Sequence, residues 1–165
     1  MVKLNSKQVT DYFNRSYKAV DGLWFLKVEE KYGFDKALEL DNEVWKIMPK
    51  IQARLINSFF DSENIQPTLF DSIITKLDLE GFQFTTEKSE KGFRITITNC
   101  PWFNLMVKSG RENLAHFVGK KICNTEYQAW ASEYGKENKF ELISQKCDKS
   151  DFCVLEFQYK KINNS

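Results

Sequence analysis

The sequence predicts an α+β fold: N-terminal helices packed on a four-stranded antiparallel sheet made of two hairpins, with a helical insert between the hairpins. Two changes along the chain carry this expectation. Up to residue 79, apolar residues recur at helical spacing, and from Phe82 the period shortens to two. A third observation bears on function. All four cysteines, Cys100, Cys123, Cys147 and Cys153, lie in the last 66 residues, after 99 residues with none.

At 165 residues the chain has the size of one domain, 1–165, helical over 1–79 and carrying the sheet and its insert over 80–165. Hydrophobic residues make up 42% and aromatics 15%, which excludes a disordered chain. The 24 basic and 23 acidic residues are spread throughout and leave a net charge of +1, so the clustered positive field of a nucleic-acid binder is missing. MVKLNSKQVTDYF at the start has no signal-peptide apolar run, and no stretch approaches the roughly 20 apolar residues needed to span a bilayer. The expectation is a cytoplasmic protein with reduced thiols and no membrane or nucleic-acid partner.

Residues 6–20 read as a first helix, capped by Asn5 or Ser6, with Val9, Phe13, Tyr17 and Val20 on one side. Asp21 is expected to cap a second helix through Tyr32, which Gly33 ends. The stretch from Asp35 to Phe60 is helical again, but Pro49 removes a backbone donor and should break or kink it near Trp45 or Lys46. DSENIQP, 61–67, reads as a connector, and Thr68 or Asp71 opens a helix through Leu79.

Phe82, Phe84 and Thr86 then alternate with polar residues, KSEKG turns the chain, and Phe93, Ile95 and Ile97 alternate again, giving a hairpin. Cys100-Pro101 ends it, because proline cannot extend a central strand. A mixed apolar and helical region runs from Trp102 to Tyr134, with Gly110 and Gly119 as expected interruptions. Lys139–Lys146 and Asp151–Tyr159 form a second hairpin, in which Cys153, Leu155, Phe157 and Tyr159 share a face toward the core.

Thiolates gathered from several segment ends suit a soft metal ion or an iron–sulfur cluster, and Cys147 and Cys153 bracket a five-residue turn. There is no C-x-x-C pair, so the spacing matches neither a zinc ribbon nor an ordinary ferredoxin run. Buried structural thiols account for the same four residues equally well. His116, the only histidine, would have to serve any Cys–His pair, but its apolar neighbours suit a packed residue. The acidic residues from Glu29 to Glu43 are interleaved with lysines and read as solvated helix faces. Trp24, Trp102 and Tyr127 could line a pocket for a flat ligand or fill a core. Arg111 could clamp a carboxylate or form an ordinary ion pair.

DGLWFLKVEEKYGFDKALELDNEVWKIMPKIQAR (21–54) resembles the N-terminal signature of an uncharacterised family of small cytosolic proteins from anaerobic bacteria and methanogens. CPWFNLMVKSGRENLAHFVGKKICNTEYQAWASEYG (100–135) with CDKSDFCVLEFQY (147–159) resembles its C-terminal half. More distantly, the chain is similar to the amino-thiazoline carboxylate hydrolase family and to vinyl-reductase-type ligand-binding domains. The shared elements are Trp102, Gly110-Arg111, a Cys, and a terminal hairpin of form Cys-turn-Cys-x-x-x-Phe. Lys149-Ser150-Asp151 stands where the related domains commonly carry Gly-Asp.

The resemblance implies a small-molecule-binding, sensor or accessory protein, often a homodimer, with zinc or an iron–sulfur cluster on Cys123, Cys147 and Cys153. Cys100 would supply a fourth thiol, and Arg111, Trp102, Trp24 and Tyr127 would contact a small organic ligand. Four thiolates would make a closed site and three an open one. The hydrolase relationship implies an alternative, an enzyme opening a small thiazoline-type sulfur heterocycle. A dimerisation module with structural thiols only is a second alternative.

Overall fold

In the computed structural model, which describes residues 3–60 and 66–159, the chain divides into two compact units, 1–41 and 42–165. In the first unit, α1 spans Ser6–Tyr32. The Asn5 side chain accepts from the Gln8 N–H while the Gln8 side chain accepts from the Asn5 N–H, a capping box that satisfies two end donors. Gly33, at φ 85°, ends the helix, and its N–H returns to the Glu29 carbonyl. The expected break at Asp21 does not occur: Asp21 and Gly22 lie inside one 27-residue helix. An interior glycine costs about 1 kcal/mol against alanine, too little to stop a helix of that length, and no proline is present there to break it. α2, Phe34–Trp45, follows at once, with Phe34 set edge-on to Phe25 of α1.

The division between the units falls inside α2, and the second unit carries the sheet. Pro49 acts as the sequence predicts. α2 stops at Trp45 and α3, Met48–Ser58, begins with that proline in its first turn, where a missing N–H costs nothing. Of the expected connector, 61–65 lie outside the described residues. Thr68 caps α4, Leu69–Glu80, and exchanges hydrogen bonds with Asp71 in a second capping box.

β1, Gln83–Ser89, and β2, Gly92–Asn99, form the first hairpin, with a tighter turn than KSEKG suggests, Glu90-Lys91 alone. Gly92 sits at φ 152°, where a Cβ would run into the Phe157 carbonyl oxygen. The insert comprises α5, Pro101–Lys108, and α6, Glu112–Glu133. Gly110, at φ 70°, separates them, whereas Gly119 does not interrupt and lies within α6. β3, Lys139–Ser144, ends earlier than expected. Lys146–Asp148 form a 3₁₀ turn, and β4, Cys153–Gln158, starts two residues later than Asp151.

The four strands lie in the order β1-β2-β4-β3, all antiparallel. The fold is therefore α+β, with a helical insert between two hairpins. Pairing of β2 with β4 joins the hairpins, from Gly92 opposite Gln158 to Ile97 opposite Cys153. The core sits on one face of this sheet. Ala53 and Ile56 of α3, Leu69, Ile73 and Leu77 of α4, and Tyr127, Trp130 and Ala131 of α6 pack on Phe93, Ile95, Ile97, Leu155 and Phe157. On the other face Arg94 pairs with Glu156 across β2 and β4 at 2.6 Å.

Candidate functional site

The sheet's register gathers three cysteines at one end. Cys153 opens β4 opposite Ile97, and Cys100 lies one residue beyond the last residue of β2, past the same end. β3 runs toward this end as well, since Ser144 pairs with Val154, so Cys147 in the following 3₁₀ turn arrives beside them. Cys123 comes from α6, one helical turn before Tyr127, whose ring packs on Phe140 and Phe157 of the sheet. All four are free, partly buried thiols.

Gly119 explains how Cys147 reaches α6. A Cβ at that position would stand 2.7 Å from Cys147 Sγ and 3.1 Å from Gln145 Nε2. The helix thus gives up a side chain where the sulfur lies against its backbone. Two sulfurs accept backbone N–H groups: Cys100 Sγ, at the N-cap of α5, from Phe103 at 3.4 Å, and Cys153 Sγ from Lys146 at 3.2 Å. His116, one turn before Gly119, has Nδ1 3.2 Å from Asp148 Oδ1, next in sequence to Cys147.

Burial pushes all four thiols up, Cys100 and Cys147 to about 11. For Cys147 the next cause is the neighbouring Cys153, and for Cys123 it is Glu126, followed by Cys100, Cys153 and Cys147. For Cys100, Cys123 and Cys147 the neighbouring thiols add to burial in favouring the protonated form.

Beside the thiols lies a buried ionic group that sequence periodicity did not single out. Lys76 and Glu80 of α4 and Glu126 of α6 are 3%, 6% and 6% exposed. Lys76 Nζ pairs with Glu126 and lies 3.3 Å from Glu80 Oε2. Burial alone would lower the lysine pKa, but Glu126 and Glu80 more than offset this and hold it above the ordinary value. The ammonium also stands 5.2 Å from the ring centre of Tyr127 and 5.3 Å from that of Phe82. Glu80 accepts from Trp102 Nε1 at 3.2 Å and from Gln52 Nε2 at 3.4 Å. A signal was present in the sequence: Lys76 and Glu80 fall at the helical spacing of Leu69, Ile73 and Leu77, polar residues in an apolar register.

Of the four expected ligand-contacting residues, Trp102 and Tyr127 meet at this ionic group. Arg111 stands at the N-cap of α6, twelve residues and so about 18 Å of helix from Cys123. Trp24 belongs to α1 in the first unit and is 45% exposed.

Among the described residues, no three His, Cys, Asp or Glu side chains are already placed to hold a metal ion. The donor set nevertheless suits one by its chemistry. It comprises four sulfurs from four segments, two of them receiving the backbone N–H bonds that stabilise thiolates. Among the described residues, no helix is long and apolar enough to cross a membrane.

A family model described as a family of unknown function, DUF6125, matches residues 3–159. The chain belongs to that family. No curated protein and no solved structure matches it.

Two outcomes test this geometry. In a Cys147→Ala background, Gly119→Ala should stabilise the protein by up to about 1 kcal/mol through helix propensity. With Cys147 present the gain should vanish or reverse, a coupling on the order of 1 kcal/mol by double-mutant cycle in urea. The second outcome concerns pH. A thiol whose folded pKa lies above its ordinary value of 9.0 holds its proton longer in the folded chain. Its contribution to stability is complete below 9.0 and is lost as pH rises through about 11. Urea titrations of metal-free protein should show stability falling across this window, with a shallower fall in Cys100→Ala and Cys147→Ala.

Proposed function

We propose that the protein is a cytosolic binding or accessory protein whose thiol end takes up a soft metal ion or an iron–sulfur cluster. One observation carries this reading: four free cysteines from four different segments converge at one end of the sheet. Cys123, Cys147 and Cys153 would hold the metal, as the resemblance to vinyl-reductase-type domains implies, and Cys100 would complete the set. Bound there, the metal would supply structural cross-linking or electron transfer if all four sulfurs ligate, and Lewis acidity if one position stays open. The chain's own contribution is specific. The Phe103 and Lys146 N–H groups orient the Cys100 and Cys153 sulfurs, and Cys100, Cys123 and Cys153 pack partly buried against the core. Trp102, partly exposed two residues beyond Cys100, would contact an organic ligand there, whereas Tyr127 is 2% exposed and packed in the core.

Protein purified without air should contain stoichiometric zinc, or iron with acid-labile sulfide and a visible charge-transfer absorption. Cys123→Ser or Cys153→Ser should lower the metal content several-fold while circular dichroism is unchanged. Colourless protein that takes up neither zinc nor iron and sulfide on reconstitution refutes the proposal.

The His116–Asp148 contact beside Cys147 favours a second reading, in which Cys147 is a nucleophile toward a thiazoline-type carboxylate, as the hydrolase resemblance implies. Asp148 would orient the imidazole to accept the thiol proton. Turnover of such a substrate, lost in both Cys147→Ser and His116→Ala with the fold intact, is the expected outcome on this reading. Absence of turnover by the unaltered protein, or its persistence in Cys147→Ser, removes it.

A further inference from the structure

We infer that the buried Lys76–Glu80–Glu126 group is a positioning device that holds Cys100 and Cys123 toward one another; the inference rests on the thiol end being the functional site. Lys76 and Glu80 occupy successive turns of α4, and Lys76 reaches across to Glu126 of α6. Glu126 follows Cys123 by three residues, so the two share a side of α6, and the ion pair limits rotation of the helix that aims the sulfur.

Glu80 acts on the other cysteine. Its Oε2 accepts from Trp102 Nε1 at 3.2 Å, and Trp102 lies two residues beyond Cys100. The anchored indole fixes the first turn of α5, the turn whose Phe103 N–H points at Cys100 Sγ. Gln52 of α3 donates to the remaining Glu80 oxygen. One ammonium thereby ties α4 to α6 directly and to α5 and α3 through a shared carboxylate.

Packing alone does not require these ions. Replacing a buried ion cluster by apolar or neutral groups of similar volume is often neutral or stabilising, because the desolvation cost disappears. What apolar contact lacks is direction. Ion pairs and an indole hydrogen bond fix the helices' rotation and axial position, and both coordinates set where a sulfur points.

The test uses the full chain with Cys147 and Cys153 changed to Ser, leaving Cys100 and Cys123. The probe is phenylarsine oxide, which joins two thiols through arsenic with loss of one water and no change of oxidation state. With the ionic group intact, the probe should bind once per chain and remove both thiols from titration. In the triple variant Lys76→Met, Glu80→Gln, Glu126→Gln, bridging should weaken by at least about ten-fold while the melting temperature holds or rises. Lys76→Arg, which keeps both pairings, should retain bridging. Should the triple variant fail to fold, Glu80→Leu alone removes the acceptor of the Trp102 tether and leaves the Lys76–Glu126 pair in place. It should weaken bridging while Cys123 keeps its rate with a monofunctional thiol reagent.

Undiminished bridging in the neutral variants overturns the inference, as does failure of the two-cysteine protein with Lys76, Glu80 and Glu126 intact to bridge at all. A native protein that takes up no metal, yet bridges the arsenical only with the ionic group present, refutes the metal proposal and supports this inference. Full metal affinity and unchanged bridging in the triple variant do the reverse.

Discussion

The ladder between β2 and β4 runs from Gly92 opposite Gln158 to Ile97 opposite Cys153, and both the core and the thiol end depend on it. Two hairpins far apart in sequence become one sheet through it, giving the helices a single apolar face to cover. Because strand side chains alternate, a slip of one residue would turn Ile95, Ile97, Leu155 and Phe157 toward solvent. Burial of these side chains therefore holds the register. The same register sets Cys153 at the end of β2 from which Cys100 emerges. The placement of the cysteines at that end is a by-product of which residues must face the core.

The ionic group beside the thiols has a different energetic character. Apolar burial at the β2–β4 face is favourable whatever the detailed geometry, at about 25 cal/mol per Å². Lys76, Glu80 and Glu126 gain from burial only where nitrogen and oxygen atoms meet, and removing one partner would leave a buried charge, a loss of about 3–5 kcal/mol. The group is thus a poor source of stability and a strict source of geometry. Its position explains where that geometry is used, since its partners lead through Trp102 to Cys100 and along α6 to Cys123.

Elements governed by local rules were legible in the sequence. Pro49 divides α2 from α3 because its ring and missing N–H act wherever it stands, and Thr68 caps α4 through an oxygen three residues from its partner. Both hairpins followed from period-two alternation, which half-buried strands impose. Asp21 misled for a physical reason. A capping residue is also tolerated inside a helix, and only the backbone before it decides which role it takes. Gly119 misled in the same way, since its cause is Cys147, 28 residues on. Gathering of the cysteines at segment ends was visible, but the sequence could not reveal that α6 would bring Cys123 to them. The Lys76 group was only partly legible: Lys76 and Glu80 stand in an apolar register of α4, but Glu126 is an ordinary surface residue by type. Only tertiary packing turned its face inward.

Two of the places in the second unit where local preference is overruled lie beside the cysteines. Gly119 sits in the interior of α6, where alanine would be better by about 1 kcal/mol, and the structural reason is the sulfur of Cys147. Lys76 and Glu80 occupy an apolar register of α4, where leucine would fill the space without desolvation cost. Natural chains are locally consistent nearly everywhere, and exceptions are expected where function imposes a geometry that stability does not want. Both exceptions border the same four thiols. Inert core cysteines, which behave as small apolar residues, would need neither a helix stripped to glycine nor a buried ion group. On the proposed reading, their coincidence at one end of the sheet follows if the sulfurs' positions, rather than their volume, are what this part of the fold maintains.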